Sequence, residues 1–86
     1  MKTFNDLVFG QHSCIDFLMQ AKLQFENGYG VSVLFGGIAY SNGIDTYEVA
    51  VLKDGSLCYD TEITNDVIGY IEKEEVTNVM IRVQQL

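Results

Sequence analysis

Proline and tryptophan are absent from this sequence, histidine occurs once, cysteine twice, and only five residues are lysine or arginine. Each shortage excludes something. Without proline, turns must be made by residues that reach positive φ, and eight glycines are present to do so. Cys14 and Cys58 cannot by themselves supply the four ligands of a structural zinc site, and a secreted domain this small would ordinarily carry two or more disulfides, so reduced thiols are expected. Five scattered bases cannot line a track of phosphates, which argues against direct nucleic-acid binding. No stretch approaches the ~20 apolar residues that span a bilayer, and Met1-Lys2-Thr3-Phe4-Asn5-Asp6 lacks the apolar run of a signal peptide. The expected setting is the cytoplasm, without membrane contact.

What is present is enough for one core. The 86 residues are 48% apolar, with five Phe and five Tyr, which suits a single domain over 1–86; a chain this short hides roughly 60–65% of its unfolded surface. The acids are concentrated. Between Asp54 and Glu75 stand Asp54, Asp60, Glu62, Asp66, Glu72, Glu74 and Glu75 against Lys73 alone, a local charge of −6 within a total of −7. One side of the folded domain is therefore expected to project a negative field that repels phosphate and attracts basic surfaces.

Hydropathy alternates with period two through Phe17, Met19, Ala21, Leu23 and Phe25, again through Tyr29, Val31, Val33 and Phe35, and a third time through Tyr47, Val49 and Val51. A two-residue Asn27-Gly28 turn would mix apolar and polar residues on both faces. A three-residue loop, Glu26-Asn27-Gly28, instead pairs Phe25 with Tyr29, Leu23 with Val31, Ala21 with Val33 and Met19 with Phe35, giving one apolar face. The same rule applied to Lys53-Asp54-Gly55 pairs Val51 with Leu57, Val49 with Tyr59 and Tyr47 with Thr61. The opposite face then carries Gln20, Lys22, Gln24, Ser32, Leu34, Glu48, Ala50, Leu52, Cys58 and Asp60. Its apolar members are expected to be covered by Phe4, Leu7, Val8 and Phe9, or to self-associate through Leu34 and Leu52 in a homodimer.

After Thr61 the period changes. Thr64 and Asp66 with Val67, Ile68 and Ile71 read as a short helix over 65–71, and Val76, Val79, Met80, Val83 and Leu86 as a longer one over 73–85, led by Glu74 and Glu75. The fold expected is α+β: an antiparallel sheet of about four strands in two hairpins, with C-terminal helices packed on one face. The loop from Gly36 to Asp45 is the only long one.

No set of residues assembles into a catalytic motif. His12 with Ser13 and Cys14 lacks an orienting carboxylate, and neighbours in sequence rarely face each other. Asp60, Glu62 and Asp66 lack calcium-loop spacing, so no metal is expected. Gly28-Tyr29-Gly30 and Gly36-Gly37 precede no helix, so neither offers a phosphate cradle, and no cofactor is expected. Two readings of the acids stay open: a solvated face, or a partner site formed by Asp60, Glu62, Glu72, Glu74 and Glu75, with Tyr40 as its aromatic anchor.

The blocks Lys2-Thr3-Phe4-Asn5-Asp6-Leu7-Val8-Phe9, Asn27-Gly28-Tyr29-Gly30-Val31-Ser32-Val33, Tyr47-Glu48-Val49-Ala50-Val51-Leu52 and Asp66-Val67-Ile68-Gly69-Tyr70-Ile71 resemble small bacteriophage or prophage accessory proteins of unassigned role. The resemblance spans most of the chain, apart from Gln11 to Asp16, and carries no catalytic residues. It implies a non-enzymatic, acidic protein-binding module in the host cytoplasm, an anti-defence inhibitor of the anti-CRISPR or anti-restriction type acting on a basic host protein. The alternatives are a self-associating phage structural or assembly protein, and a protein that sequesters a small ligand.

Overall fold

Three alternating segments form the centre of an antiparallel sheet. The computed structural model describes residues 1–64 and 66–86. Strands β1 (Gly10–Gln11), β2 (Leu18–Gln24), β3 (Tyr29–Gly36), β4 (Tyr47–Lys53) and β5 (Ser56–Leu57) lie side by side in that order. Strand β6 (Ile68–Ile71) shares the outer edge of β4 with β5, and helix α1 (Lys73–Gln84) follows it directly. The α+β class and the C-terminal helix packed on the sheet agree with the sequence pattern. The described residues form six strands rather than four, and one C-terminal helix rather than two.

The β2–β3 register is the expected one: Leu23 lies opposite Val31, Ala21 opposite Val33 and Met19 opposite Phe35. Gly28 closes the loop at φ 87°, and Phe25 N–H donates to the Tyr29 carbonyl at 2.7 Å. Asn27 adds a tertiary tie, because its Nδ2 donates to the Val83 carbonyl at the end of α1 (2.9 Å) and its Oδ1 accepts Tyr29 N–H (3.1 Å).

The second hairpin differs from expectation. Leu52 lies opposite Leu57 and Lys53 opposite Ser56, so Asp54-Gly55 is a two-residue turn with both residues at positive φ (52° and 85°). That is the type I′ geometry whose twist matches a hairpin. The one-residue shift puts Leu57 on the same face as Leu52 and turns Cys58 to the core side. The pairings of Val49 with Tyr59 and Tyr47 with Thr61 do not form.

Nor is there a helix over 65–71. Asn65 lies outside the described residues, and 68–71 is strand β6, with Ile71 opposite Tyr47 and Ile68 opposite Val49. Three steps along β6 match two along β4, so a bulge falls between them, where Tyr70 stands at φ 56°. The bulge lets Ile68 and Ile71, three apart, both join the core, reproducing the spacing of a helix turn.

The core lies between the sheet and α1. Val31 and Val33 from β3, Val49 and Val51 from β4, Phe25 and Ile71 pack with Val76, Val79, Met80 and Val83 of the helix. Full burial of each such side chain is worth about 1.5–3 kcal/mol before chain entropy is subtracted. Phe4, Leu7 and Phe9 join this same face rather than covering the other one, while Val8 points to solvent. Phe4 packs on Phe9 and Tyr47, and Phe9 on Phe35 and Tyr47, edge-on or tilted with ring centroids 5.0–6.0 Å apart. Two polar clasps hold this segment to the helix: Phe4 N–H donates to Thr77 Oγ1 (3.1 Å), and the Gln84 carboxamide meets both the N–H and the carbonyl of Lys2 (2.9 and 2.8 Å).

Phe17 departs from its alternation. At φ 63° and 84% exposed, it sits before β2 and outside the apolar face.

Candidate functional site

The β3–β4 connection, residues 37–46, is wired by its own polar side chains. Asn42 Oδ1 accepts the N–H groups of Ile44, Asp45 and Thr46 at 2.9, 3.0 and 3.0 Å. Asn42 Nδ2 donates to Asp45 Oδ1 at 2.6 Å, and Asn42 N–H to Thr46 Oγ1 at 2.8 Å. Ser41 Oγ accepts from both Gly36 N–H (3.0 Å) and Gly43 N–H (3.2 Å). These short polar residues bond locally to backbone, as Ser, Thr, Asn and Asp do outside helices and ladders. The result is an ordered loop that holds Ile44 83% exposed at its tip.

The loop is also tied to the sheet. Tyr40 N–H donates to Glu48 Oε1 (3.0 Å), and its carbonyl accepts Tyr70 N–H (2.9 Å). Gly69 makes this approach possible: a Cβ there would stand 2.7 Å from that of Tyr40. The rings of Tyr40 and Tyr70 lie 6.4 Å apart, 57% and 63% exposed. Such pairs combine apolar area with a polar tip, which suits protein recognition.

The acids run along the same edge of the sheet. Asp60 and Glu62 are exposed in the connection from β5 to β6; Glu72 is the N-cap residue of α1, and Glu74 and Glu75 occupy its first turn, all solvent-facing. Negative charge there complements the helix dipole. A groove of about 300 Å³ joins the loop to the helix start, with Ile44, Asp45 and Tyr47 on one wall and Glu72, Lys73 and Glu74 on the other. Thus Glu72 and Glu74 come together with Ile44 and Asp45; Tyr40, Tyr70, Glu75, Asp60 and Glu62 do not line the groove.

Leu34 and Leu52 share the other sheet face. Leu52 is 5% exposed and Leu34 half-buried. Leu57, opposite Leu52, is the exposed apolar residue at that end.

Other polar groups have structural partners. His12 Nδ1 accepts Cys14 N–H at 3.1 Å, and Cys14 Sγ lies 3.6 Å from Ser13 Oγ in the β1–β2 loop. Both cysteines are free, Cys14 exposed and Cys58 half-buried. Among the described residues no three His, Cys, Asp or Glu side chains gather to hold a metal ion. A larger groove of about 640 Å³ runs between Met1, Lys2 and Asp6 and the β2–β3 loop. Part of its polar lining is committed to the fold: Asp6 Oδ2 accepts Thr3 N–H (2.8 Å), and Asn27 and Gln84 make the bonds described above.

Of the residues around the groove and the tyrosine pair, the sequence singles out Tyr40, Glu72 and Glu74 but not Ile44, Asp45 or Tyr70. The cluster Ser41-Asn42-Gly43 followed by Asp45-Thr46 was the available signal, since it is rich in residues that bond their own backbone. The chain matches no protein-family model, no curated protein and no solved structure.

Proposed function

We propose that this protein is a non-enzymatic binding module that docks a basic surface of a partner protein on the edge formed by loop 37–46, β6 and the start of α1. The observation that carries this reading is the groove lined by Ile44, Asp45, Tyr47, Glu72, Lys73 and Glu74, taken with the exposed Tyr40–Tyr70 pair contributed by the same loop and by β6. Apolar anchors supply contact area, and the surrounding carboxylates select and steer a cationic partner. A basic surface of that kind is what nucleic-acid-binding proteins expose to phosphate, so the proposed role is inhibition of a host protein of this class by occupying its phosphate-binding surface. The phage resemblance supports the same role by analogy.

Co-purification from a bacterial host, followed by identification of the partner and titration against variants, tests this reading. Tyr40→Ala combined with Tyr70→Ala is expected to weaken the identified complex at least tenfold, as loss of an aromatic anchor does, while leaving the far-UV circular dichroism unchanged. An identified partner bound equally by the double variant, or one with an acidic contact surface, overturns the assignment.

A further inference from the structure

We infer that Tyr40 and Tyr70 form an oxidative modification site, at which a one-electron oxidant of the haem-peroxidase class joins the two rings carbon to carbon and ties loop 37–46 covalently to β6. This chemistry does not depend on the docking of a partner. Five tyrosines are present, and the fold separates one pair from the rest. Tyr47 packs against Phe4, Phe9 and Phe35, Tyr29 has the Lys53 ammonium 5.4 Å from its ring centroid, and Tyr59, 42% exposed, has no aromatic ring beside it among the described residues. Tyr40 and Tyr70 meet each other, with centroids 6.4 Å apart and planes inclined by 39°, and both are exposed. Their backbones hold them there. Tyr70 N–H donates to the Tyr40 carbonyl (2.9 Å), Tyr40 N–H donates to Glu48 Oε1 (3.0 Å), and Gly69 leaves the room for this approach. Tyr70 stands at φ 56°, an uncommon angle for a bulky residue, of the kind that persists where the surrounding structure fixes it.

Each phenol gives up one electron and one proton to become a neutral phenoxyl radical, whose spin is shared between the oxygen and the ortho carbons. Two ortho carbons then bond, and the hydrogen on each passes through solvent to the phenoxyl oxygen, which restores both rings. In total two C–H bonds break, one C–C bond forms, and two electrons and two protons leave. Hydrogen peroxide, acting through the haem of the oxidant, takes them and becomes two waters. Exposure lets the oxidant reach both rings, and exposed side chains change rotamer within nanoseconds, which closes the remaining gap between them. Proximity then decides the product. Two radicals held side by side couple in a unimolecular step, whereas radicals on separate molecules must first meet.

The test treats the full chain with a haem peroxidase and hydrogen peroxide, in a Cys14→Ser background so that the exposed thiol cannot reduce a tyrosyl radical. Free tyrosine in a parallel reaction shows that the oxidant couples phenols. The expected product is a monomer lighter by two hydrogens, in a yield that does not change on dilution of the protein, with peptide mapping that joins the segments holding Tyr40 and Tyr70. Tyr40→Phe and Tyr70→Phe keep the ring and lose the hydroxyl, so each should abolish this product, whereas Tyr59→Phe should leave it. A covalent ring closed from residue 40 to residue 70 restricts the unfolded chain as a disulfide does, so the purified product should unfold at a higher urea midpoint. A monomer that keeps its two hydrogens, a bond mapped to Tyr59, product surviving in Tyr40→Phe or Tyr70→Phe, or coupling seen only as covalent dimers overturns the site. A midpoint no higher than that of the untreated protein overturns it as well, because the rings would then have to leave their native seats to couple.

Discussion

Two aromatic residues, Phe17 and Tyr70, hold left-handed backbone angles of 63° and 56° while remaining largely exposed. A bulky L-residue in that region costs roughly 1–2 kcal/mol, and neither ring recovers it by burial. Asparagine tolerates the same angles. Phe17→Asn is therefore expected to raise stability by about 0.5–1 kcal/mol, seen as a higher urea midpoint with an unchanged slope; a lower midpoint would show that Phe17 makes a stabilising contact. At this scale the sequence was informative about side chains but silent about backbone. Tyr40 is identifiable as an aromatic in a long loop, whereas nothing in Ile68-Gly69-Tyr70-Ile71 announces that Tyr70 adopts positive φ or that Gly69 leaves room for Tyr40.

Among the elements, those whose sidedness follows from period two were legible: β2, β3, β4 and the register between β2 and β3. Helix α1 was equally clear, since Val76, Val79, Met80 and Val83 all fall on its buried side. The edge elements were not. Ile68 and Ile71 have helical spacing because a bulge inserts a residue, and the choice between helix and bulged strand depends on the unpaired edge of β4, a long-range fact. The hairpin loops show the same dependence. Asn27-Gly28 and Asp54-Gly55 have similar local chemistry, yet Asn27 reaches the Val83 carbonyl and its loop takes three residues, while Asp54-Gly55 makes a two-residue turn. Asn27→Ala removes the bond to Val83 and the acceptor for Tyr29 N–H, and should cost about 1–2 kcal/mol in chemical denaturation. A loss below ~0.3 kcal/mol would mean that the loop does not depend on the helix. The candidate site was legible only in part, because Ile44 and Glu72 are distant in sequence and meet through tertiary folding.

Over the whole molecule, charge is distributed unevenly around a strong core. The face between sheet and helix contains the large apolar side chains, and the segment from Asp54 to Glu75, with six of the seven net negative charges, follows the β4 edge into the helix. Such a field acts mainly on association rate and is screened over about 8–10 Å near physiological salt. Replacing Glu72, Glu74 and Glu75 together by Gln should change stability by no more than about 1 kcal/mol, since size and most helix propensity are kept. Binding to the identified partner should slow markedly at low salt and converge on wild type at high salt, as read by stopped-flow association. Equal rates at low salt would leave these acids as a solvated face. The turn chemistry has a separate consequence, in time rather than in energy. Asn27-Gly28, Asn42-Gly43 and Asp54-Gly55 are all pairs in which the glycine nitrogen can attack the preceding side chain, and Asn is among the thermolabile residues. Succinimide formation at Asn42 would leave an aspartate or its isomer in the loop, and at Asn27 it would remove the amide that reaches Val83. The same asparagines that hold two loops in shape thus set how long a preparation stays chemically uniform, and ageing should begin at these glycine-flanked positions, well before the buried valines are exposed.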